Sequence, residues 1–237
     1  ARPRPPARGG VGRRMIRAVG FDLDGTLFDH RGAAETSAAR FLASRGAAVT
    51  PAAVDAWFAA EATHFERWRS GRIDFAEQRR ARLRDVFHHL GLPVPSGPAE
   101  LDALFASYLD DYRDAWAAYP GTHDLLRDLG RRGYRLGLLT NGSTEQQTDK
   151  LDAVGLADLF DATCISEQLG HHKPDPAAFA ALVERLGVRP DECLFVGDDA
   201  TTDAAGARAA GLTAVLIDRT TMTPHDVEVA VLRALAE

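Results

Sequence analysis

Apolar residues recur along this chain in two rhythms. Residues 16–20, 134–139, 162–165, 193–196 and 213–217 are short, nearly continuous apolar runs of strand length, the pattern of strands buried on both faces. Between the later runs the spacing turns helical. Thr122 can cap a helix reaching Arg132, and Ser143 with Gln146 three residues on forms a capping-box pattern for a helix that stops at Gly155. Asp175 precedes Pro176 at a favoured first position, with Phe179, Leu182, Val183 and Leu186 on one face and Gly187 as the stop. A helix of small residues is expected from Asp203 to Ala210, and a terminal helix after the last run. This alternation specifies the α/β class, a doubly wound parallel sheet of Rossmann-like kind with right-handed crossovers.

One interval breaks the alternation. From residue 31 to 119 the spacing predicts four helices, Ala33–Arg45, Pro51–Arg69, Asp74–Leu90 and Pro98–Trp116, with no strand among them. Such a block belongs to neither flank, so residues 31–119 are read as an inserted small helical cap subdomain on a core of residues 15–30 and 120–237. The second helix carries two aromatic sets at helical spacing, Trp57, His64 and Trp68 on one side, Phe58 and Phe65 on the next. Both sets can pack between cap helices. A sharper expectation gives the Phe set to the cap core and turns Trp57, His64 and Trp68, with Arg67 or Arg72, toward a crevice.

Residues 1–14 hold five arginines and three prolines and almost nothing apolar. They are expected to be a disordered tail, a cloning remnant or the product of a start upstream of Met15. The tail has no apolar core of a secretory signal, and no stretch reads as membrane-spanning. A cytoplasmic location follows as an expectation. With 45% hydrophobic and 26% charged residues the chain reads as an ordinary soluble globular protein. The net charge of -6 argues against a nucleic-acid partner, which needs clustered basic residues. Cys164 and Cys193 sit in runs that the fold does not place side by side, and both are read as buried free thiols. Of 28 basic residues only Lys150 and Lys173 are lysine. A lysine retained against that preference suggests a site that needs a compact point charge, and Lys173 stands where one is useful.

The first strand runs into Asp22-Leu23-Asp24-Gly25-Thr26, the second ends at Thr140-Asn141-Gly142, and the fourth at Gly197-Asp198-Asp199 with Asp203 one turn on. Lys173 precedes the helix after the third. In an open parallel sheet ligands bind outside the carboxyl ends of the strands, so all of these converge on one edge. Alternation points Asp22 and Asp24 to the same side, and carboxylates that close need a cation or a shared proton. Asp22 can attack phosphorus to give an aspartyl phosphate. Mg²⁺ held by Asp22, Asp198 and the main-chain carbonyl of Asp24 would bridge attacker and phosphate dianion. Lys173, the Thr140 hydroxyl and N–H groups around Gly25 and Gly142 would cover the phosphoryl oxygens, leaving Asp24 as general acid and then general base.

The whole set resembles the haloacid dehalogenase-like (HAD) superfamily of phosphohydrolases, over Ile16 to about Leu216, with the insert matching its small C1-type cap. The resemblance implies a Mg²⁺-dependent phosphatase acting on a small phosphorylated metabolite. It also implies that Asp203 or Asp199 supports the metal's outer shell or the lysine, and spacing does not choose between them. The resembling dehalogenases lack an acid at the Asp24 position. A phosphomutase of the β-phosphoglucomutase type is the enzymatic alternative, and a phospho-accepting signalling module the non-enzymatic one. His171 and His172, adjacent in a loop, are expected to be solvated rather than ligands.

Overall fold

The computed structural model describes residues 15–236, so the tail expected over residues 1–14 lies outside the described part. Strand β1 (Ala18–Phe21) is buried along its whole length and leads into four helices, α1 (His30–Ser44), α2 (Pro51–Arg69), α3 (Phe75–His89) and α4 (Pro98–Asp114). The alternation then resumes with α5 (Thr122–Arg131), β2 (Arg135–Thr140), α6 (Thr144–Ala153), β3 (Ala162–Ile165), α7 (Ser166–Leu169) and α8 (Pro176–Leu186). Strand β4 (Cys193–Gly197), α9 (Gly206–Ala209), β5 (Thr213–Leu216) and α10 (Pro224–Ala236) complete it. All strand pairs are parallel, in the order β3-β2-β1-β4-β5. The order reverses beside β1, which makes the ends of β1, β2 and β4 the natural crevice.

Local chemistry explains the boundaries. Ser143 accepts from Gln146 N and Asp175 from Ala177 N, so α6 and α8 start where their caps stand. The small-residue helix begins earlier than its pattern predicts. Asp199 accepts from both Thr201 N and Thr202 N, and the chain coils from Ala200 in wide turns before settling into α9. That early start places Asp203 inside the coil rather than at its head. Cys164 and Cys193 are buried free thiols on β3 and β4, which are not neighbours, and burial pushes the Cys193 thiol up to about 12. No helix among the described residues is long and apolar enough to cross a membrane.

In the inserted block α2 packs on α3 and α1 on α4. Its interior is aromatic: Trp57 lies 4.5 Å from Tyr108 and 5.8 Å from Phe41, ring centre to ring centre, and Phe41 stacks on Phe87 at 6.2 Å. The sharper sequence expectation is therefore reversed. Trp57 is fully buried, flanked along α2 by Ala53 and Ala60, whose small side chains let neighbouring helices close on it. His64 is buried on the same face, 2.7 Å from Asp85 and 3.1 Å from Arg67. Phe58 and Phe65 instead face the cavity above the sheet. Trp68 packs on Phe65, Phe75 and His172.

Candidate active site

The chain leaves β1 at Asp22 and doubles back at once. Gly25 has φ +86°, and a Cβ there would sit 2.2 Å from Asp198 Oδ2, so only glycine lets this turn lie against the end of β4. Thr26, fully buried, donates from Oγ1 to Asp198 Oδ1 at 3.2 Å. Its place is a brace between two strand ends. A Cβ on Gly197 would likewise clash with the Asp203 carboxylate at 2.3 Å, so that glycine allows Asp203 to fold back toward the sheet edge.

Lys173 is 2% exposed and its ammonium bridges two acids, donating to Asp22 Oδ1 at 2.5 Å and Asp203 Oδ1 at 2.6 Å. Burial alone would lower this lysine, but Asp203 and Asp22 hold it above its ordinary value. Its backbone is gripped by the Asn141 side chain, which accepts from Lys173 N at 2.8 Å and donates to Lys173 O at 3.0 Å. Asn141, expected among the phosphate contacts, has its amide committed to positioning the lysine. Gly142 N is committed too, donating to Ser166 Oγ at 3.0 Å. Thr140 Oγ1 accepts from Gln147 Nε2 at 2.6 Å.

Asp24 is held by different partners. Its Oδ1 accepts from Lys150 Nζ at 2.6 Å and its Oδ2 from Gln147 Nε2 at 2.9 Å. Burial favours a neutral Asp24 carboxyl, yet Lys150, with His30 behind it, keeps it below its usual range. A buried ammonium beside each carboxylate meets part of the need for a cation or a shared proton that the closeness of Asp22 and Asp24 implies. The chain's two lysines separate them, one on each side of the loop.

A cluster of acids remains. Oxygens of Asp22, Asp198 and Asp203 lie within 4.8 Å of one another, with a single ammonium among three carboxylates. Burial raises Asp22 well above its ordinary value against the pull of Lys173, and burial with Asp203 raises Asp198 to about 6. An excess of hard oxygen donors at this spacing suits a divalent cation such as Mg²⁺. The Asp24 side chain does not join that cluster. Asp199 also stands apart, since its carboxylate caps the following turn with Thr201 N at 2.8 Å and Thr202 N at 2.6 Å. Between the two aspartates that spacing could not separate, Asp203 touches the lysine.

A cavity of about 690 Å³ opens above these groups. Asp22, Asp24, Thr140, Lys150, Lys173 and Asp198 form its floor, and Phe58, Glu61, Phe65, Gln78, Arg79 and Arg82 descend from the helical insert. His30 links the two parts, 2.6 Å from Tyr112 Oη and 3.1 Å from Glu61, which in turn pairs with Arg82 at 2.8 Å. His171 is exposed and pairs with Asp175 at 3.2 Å, as a solvated loop histidine would. His172 is less exposed than expected, its ring set edge-on against Trp68 at 4.9 Å.

Sequence reasoning missed Lys150 and Gln147. The signal for Lys150 was available: it is the other lysine in a chain that otherwise uses arginine. Glu61, Arg82 and His30 gave no such signal, because their partners lie on four different helices.

The haloacid dehalogenase-like hydrolase family matches residues 16–211. A phosphoserine phosphatase of Thermus thermophilus is 41% identical over 116 residues, which span 49% of this chain and 46% of that one. A ribulose-1,5-bisphosphate 5-phosphatase of Halopiger xanaduensis is 31% identical over 208 residues, 86% of this chain and 85% of its own. In fold, the chain is similar to the magnesium-bound HAD-hydrolase YfnB of Bacillus subtilis, with a TM-score of 0.74 at 22% identity over 89% of this chain and 92% of that one.

Proposed function

This chain belongs to the haloacid dehalogenase-like hydrolases, and from that premise we propose that it is a phosphatase that hydrolyses a small phosphorylated metabolite through an aspartyl phosphate on Asp22. The observation that carries the reading is the pair of aspartates two residues apart, each fixed by its own buried lysine. Lys173 fixes Asp22 and Lys150 fixes Asp24, at the floor of a cavity large enough for a metabolite.

In the first step an oxygen of Asp22 forms a bond to phosphorus while the bond from phosphorus to the ester oxygen breaks. Lys173 spreads the charge of the attacking carboxylate and of the phosphoryl oxygens, and the Thr140 hydroxyl, held by Gln147, donates to one of them. Asp24 gives its proton to the departing oxygen. The negative charge of an arriving dianion opposes ionisation of Asp24, so the substrate itself favours the protonated acid that this step needs. In the second step Asp24, drawn back to the carboxylate by Lys150, takes a proton from water, whose oxygen attacks phosphorus and releases Asp22. Asp22, Asp198 and the main-chain carbonyl of Asp24 would hold a Mg²⁺, with Asp203 beside them; when bound it supplies the charge neutralisation that lets a carboxylate approach a phosphate.

The helical insert acts as a cap that excludes water and selects the leaving group. An acid at Asp24 is needed for an oxygen leaving group and not for a halide, which favours phosphate esters over carbon-halogen bonds. Release of inorganic phosphate from a panel of phosphorylated metabolites and an aryl phosphate, before and after chelation, tests the reading. Loss of turnover in excess chelator and in Asp22→Asn is expected; full activity in either would refute it.

A further inference from the structure

The face of α3 that looks into the cavity carries Phe75, Gln78, Arg79 and Arg82, spaced three, four and seven residues from the first. The charges on this face do not balance. Arg82 is paired with Glu61 at 2.8 Å and Arg69, at the end of α2, with Glu66 at 2.5 Å. Arg79 has no carboxylate partner among the described residues; its polar contact is Gln146 Oε1 at 3.4 Å, and its guanidinium lies over the Phe75 ring at 4.6 Å and the Phe105 ring at 5.3 Å. Burial, then the like charge of Arg82, pulls it below its ordinary value.

Two more groups on the same face are unmatched. Gln78, 4% exposed, has its Oε1 buried without a donor, and Arg82, 5% exposed, has its Nε buried without an acceptor. Buried polar atoms without partners are uncommon and costly, and three neighbouring side chains that leave a cation, a donor and an acceptor unsatisfied at a cavity wall describe a ligand. The missing partner is an anion with a donor group beside it. A carboxylate or phosphoryl group matches a guanidinium fork, and the rings that flank Arg79 hold the fork in place before the anion arrives.

We propose that Gln78, Arg79 and Arg82 form an anion subsite in the cap, and that the enzyme's substrate is a phosphate ester whose leaving group carries a second acid. One end of such a substrate lies at Asp22 and Lys173, the other at Arg79. The proposal rests on the phosphatase reading for its chemistry, whereas the subsite itself is a matter of binding. Glu61 and Glu66 are already occupied by arginines. Arg31, the other cavity arginine without a carboxylate partner among the described residues, is exposed and lies over the Phe58 ring at 4.4 Å, so Arg79 is the half-buried cation the second acid would reach.

Matched esters provide the test, with both phosphate release and ligand-induced thermal stabilisation measured. 3-Phosphoglycerate against glycerol 1-phosphate varies a carboxylate, and fructose 1,6-bisphosphate against fructose 6-phosphate varies a second phosphoryl group, so the pairs tell which acid is read. The acid-bearing member of one pair is expected to have at least tenfold higher kcat/KM, mainly through KM, and to stabilise the fold more. Arg79→Gln should erase most of that ratio, while Arg84→Gln, half-exposed and paired with Glu77 away from the cavity, should keep it. Equal kcat/KM and equal stabilisation within both pairs would overturn the subsite, and since wild-type protein alone shows this, an unstable variant does not shield it. Preferential stabilisation without phosphate release would keep the subsite and overturn the phosphatase reading instead.

Discussion

Each of the chain's two lysines ends buried against a carboxylate at the floor of the cavity, at 2.5 Å for Lys173 and 2.6 Å for Lys150. A lysine is seldom buried unless it is paired, and a sequence with 26 arginines and two lysines marks both as positions where a planar fork does not serve. Lys173 was legible because a motif stood around it. Lys150 was not, since it sits seven residues into a helix whose neighbours Asp149 and Asp152 offer ordinary surface partners. Its role can be measured. Lys150 is the leading influence that holds the Asp24 carboxyl below its usual range, and burial opposes it. Removing the cation in Lys150→Met lets burial raise Asp24, and the second step of the proposed mechanism needs Asp24 ionised. The acidic limb of kcat against pH, followed with an aryl phosphate whose departure needs no acid, is therefore expected to move to higher pH. A profile superimposable on the wild type would separate Lys150 from the chemistry.

At the scale of elements, the helices of the insert were legible in number and nearly in length, while their rotation was not. Periodicity shows that α2 has two aromatic faces; which one turns inward depends on the partners of Trp57, and those come from α1 and α4. The same distance in sequence hides the polar seam that joins the four helices, His30 of α1, Glu61 of α2, Arg82 of α3 and Tyr112 of α4. Glu61 is its centre. Burial would raise this carboxyl, but Arg82 and His30 pull it from 4.5 down to about 2. A depressed carboxyl adds stability that is present above its unfolded value near 4.5 and is lost as pH falls through about 2. Glu61→Gln should therefore cost about 3 kcal/mol at neutral pH, where it leaves Arg82 buried without its anion, and little near pH 2. Denaturant unfolding at pH 7 and near pH 2 checks this. A deficit that stays constant across that interval would assign the loss to packing instead of charge.

The whole molecule is two architectures that share one interior. The class of the sheet could be read from its alternating runs, but its order, and the way the insert is seated on it, depend on contacts between residues far apart in the chain. On one face of the sheet Leu139, Phe179, Leu182 and Phe195 form a separate cluster under α8. On the other, a single cluster runs from Val19 and Phe21 through Leu27 and Phe28 into Phe41, Trp57, Tyr108 and Tyr112 of the insert. Phe28 is the joint, fully buried and edge-on to Tyr112 at 6.5 Å and Trp116 at 6.0 Å. If the two parts were separate folding units, the insert would melt alone. Continuity of the apolar cluster argues that they unfold together. The three tryptophans, Trp57, Trp68 and Trp116, all lie in or beside the insert, so their fluorescence reports on it, while far-UV circular dichroism reports on the whole chain. Coincident midpoints are expected for wild type and for Phe28→Ala. That substitution should cost about 3–5 kcal/mol and lower both midpoints together by roughly 10 °C. A fluorescence transition that precedes the dichroism transition in either protein would make the insert an independent unit, and the proposed closure over the site would then owe nothing to the core beneath it.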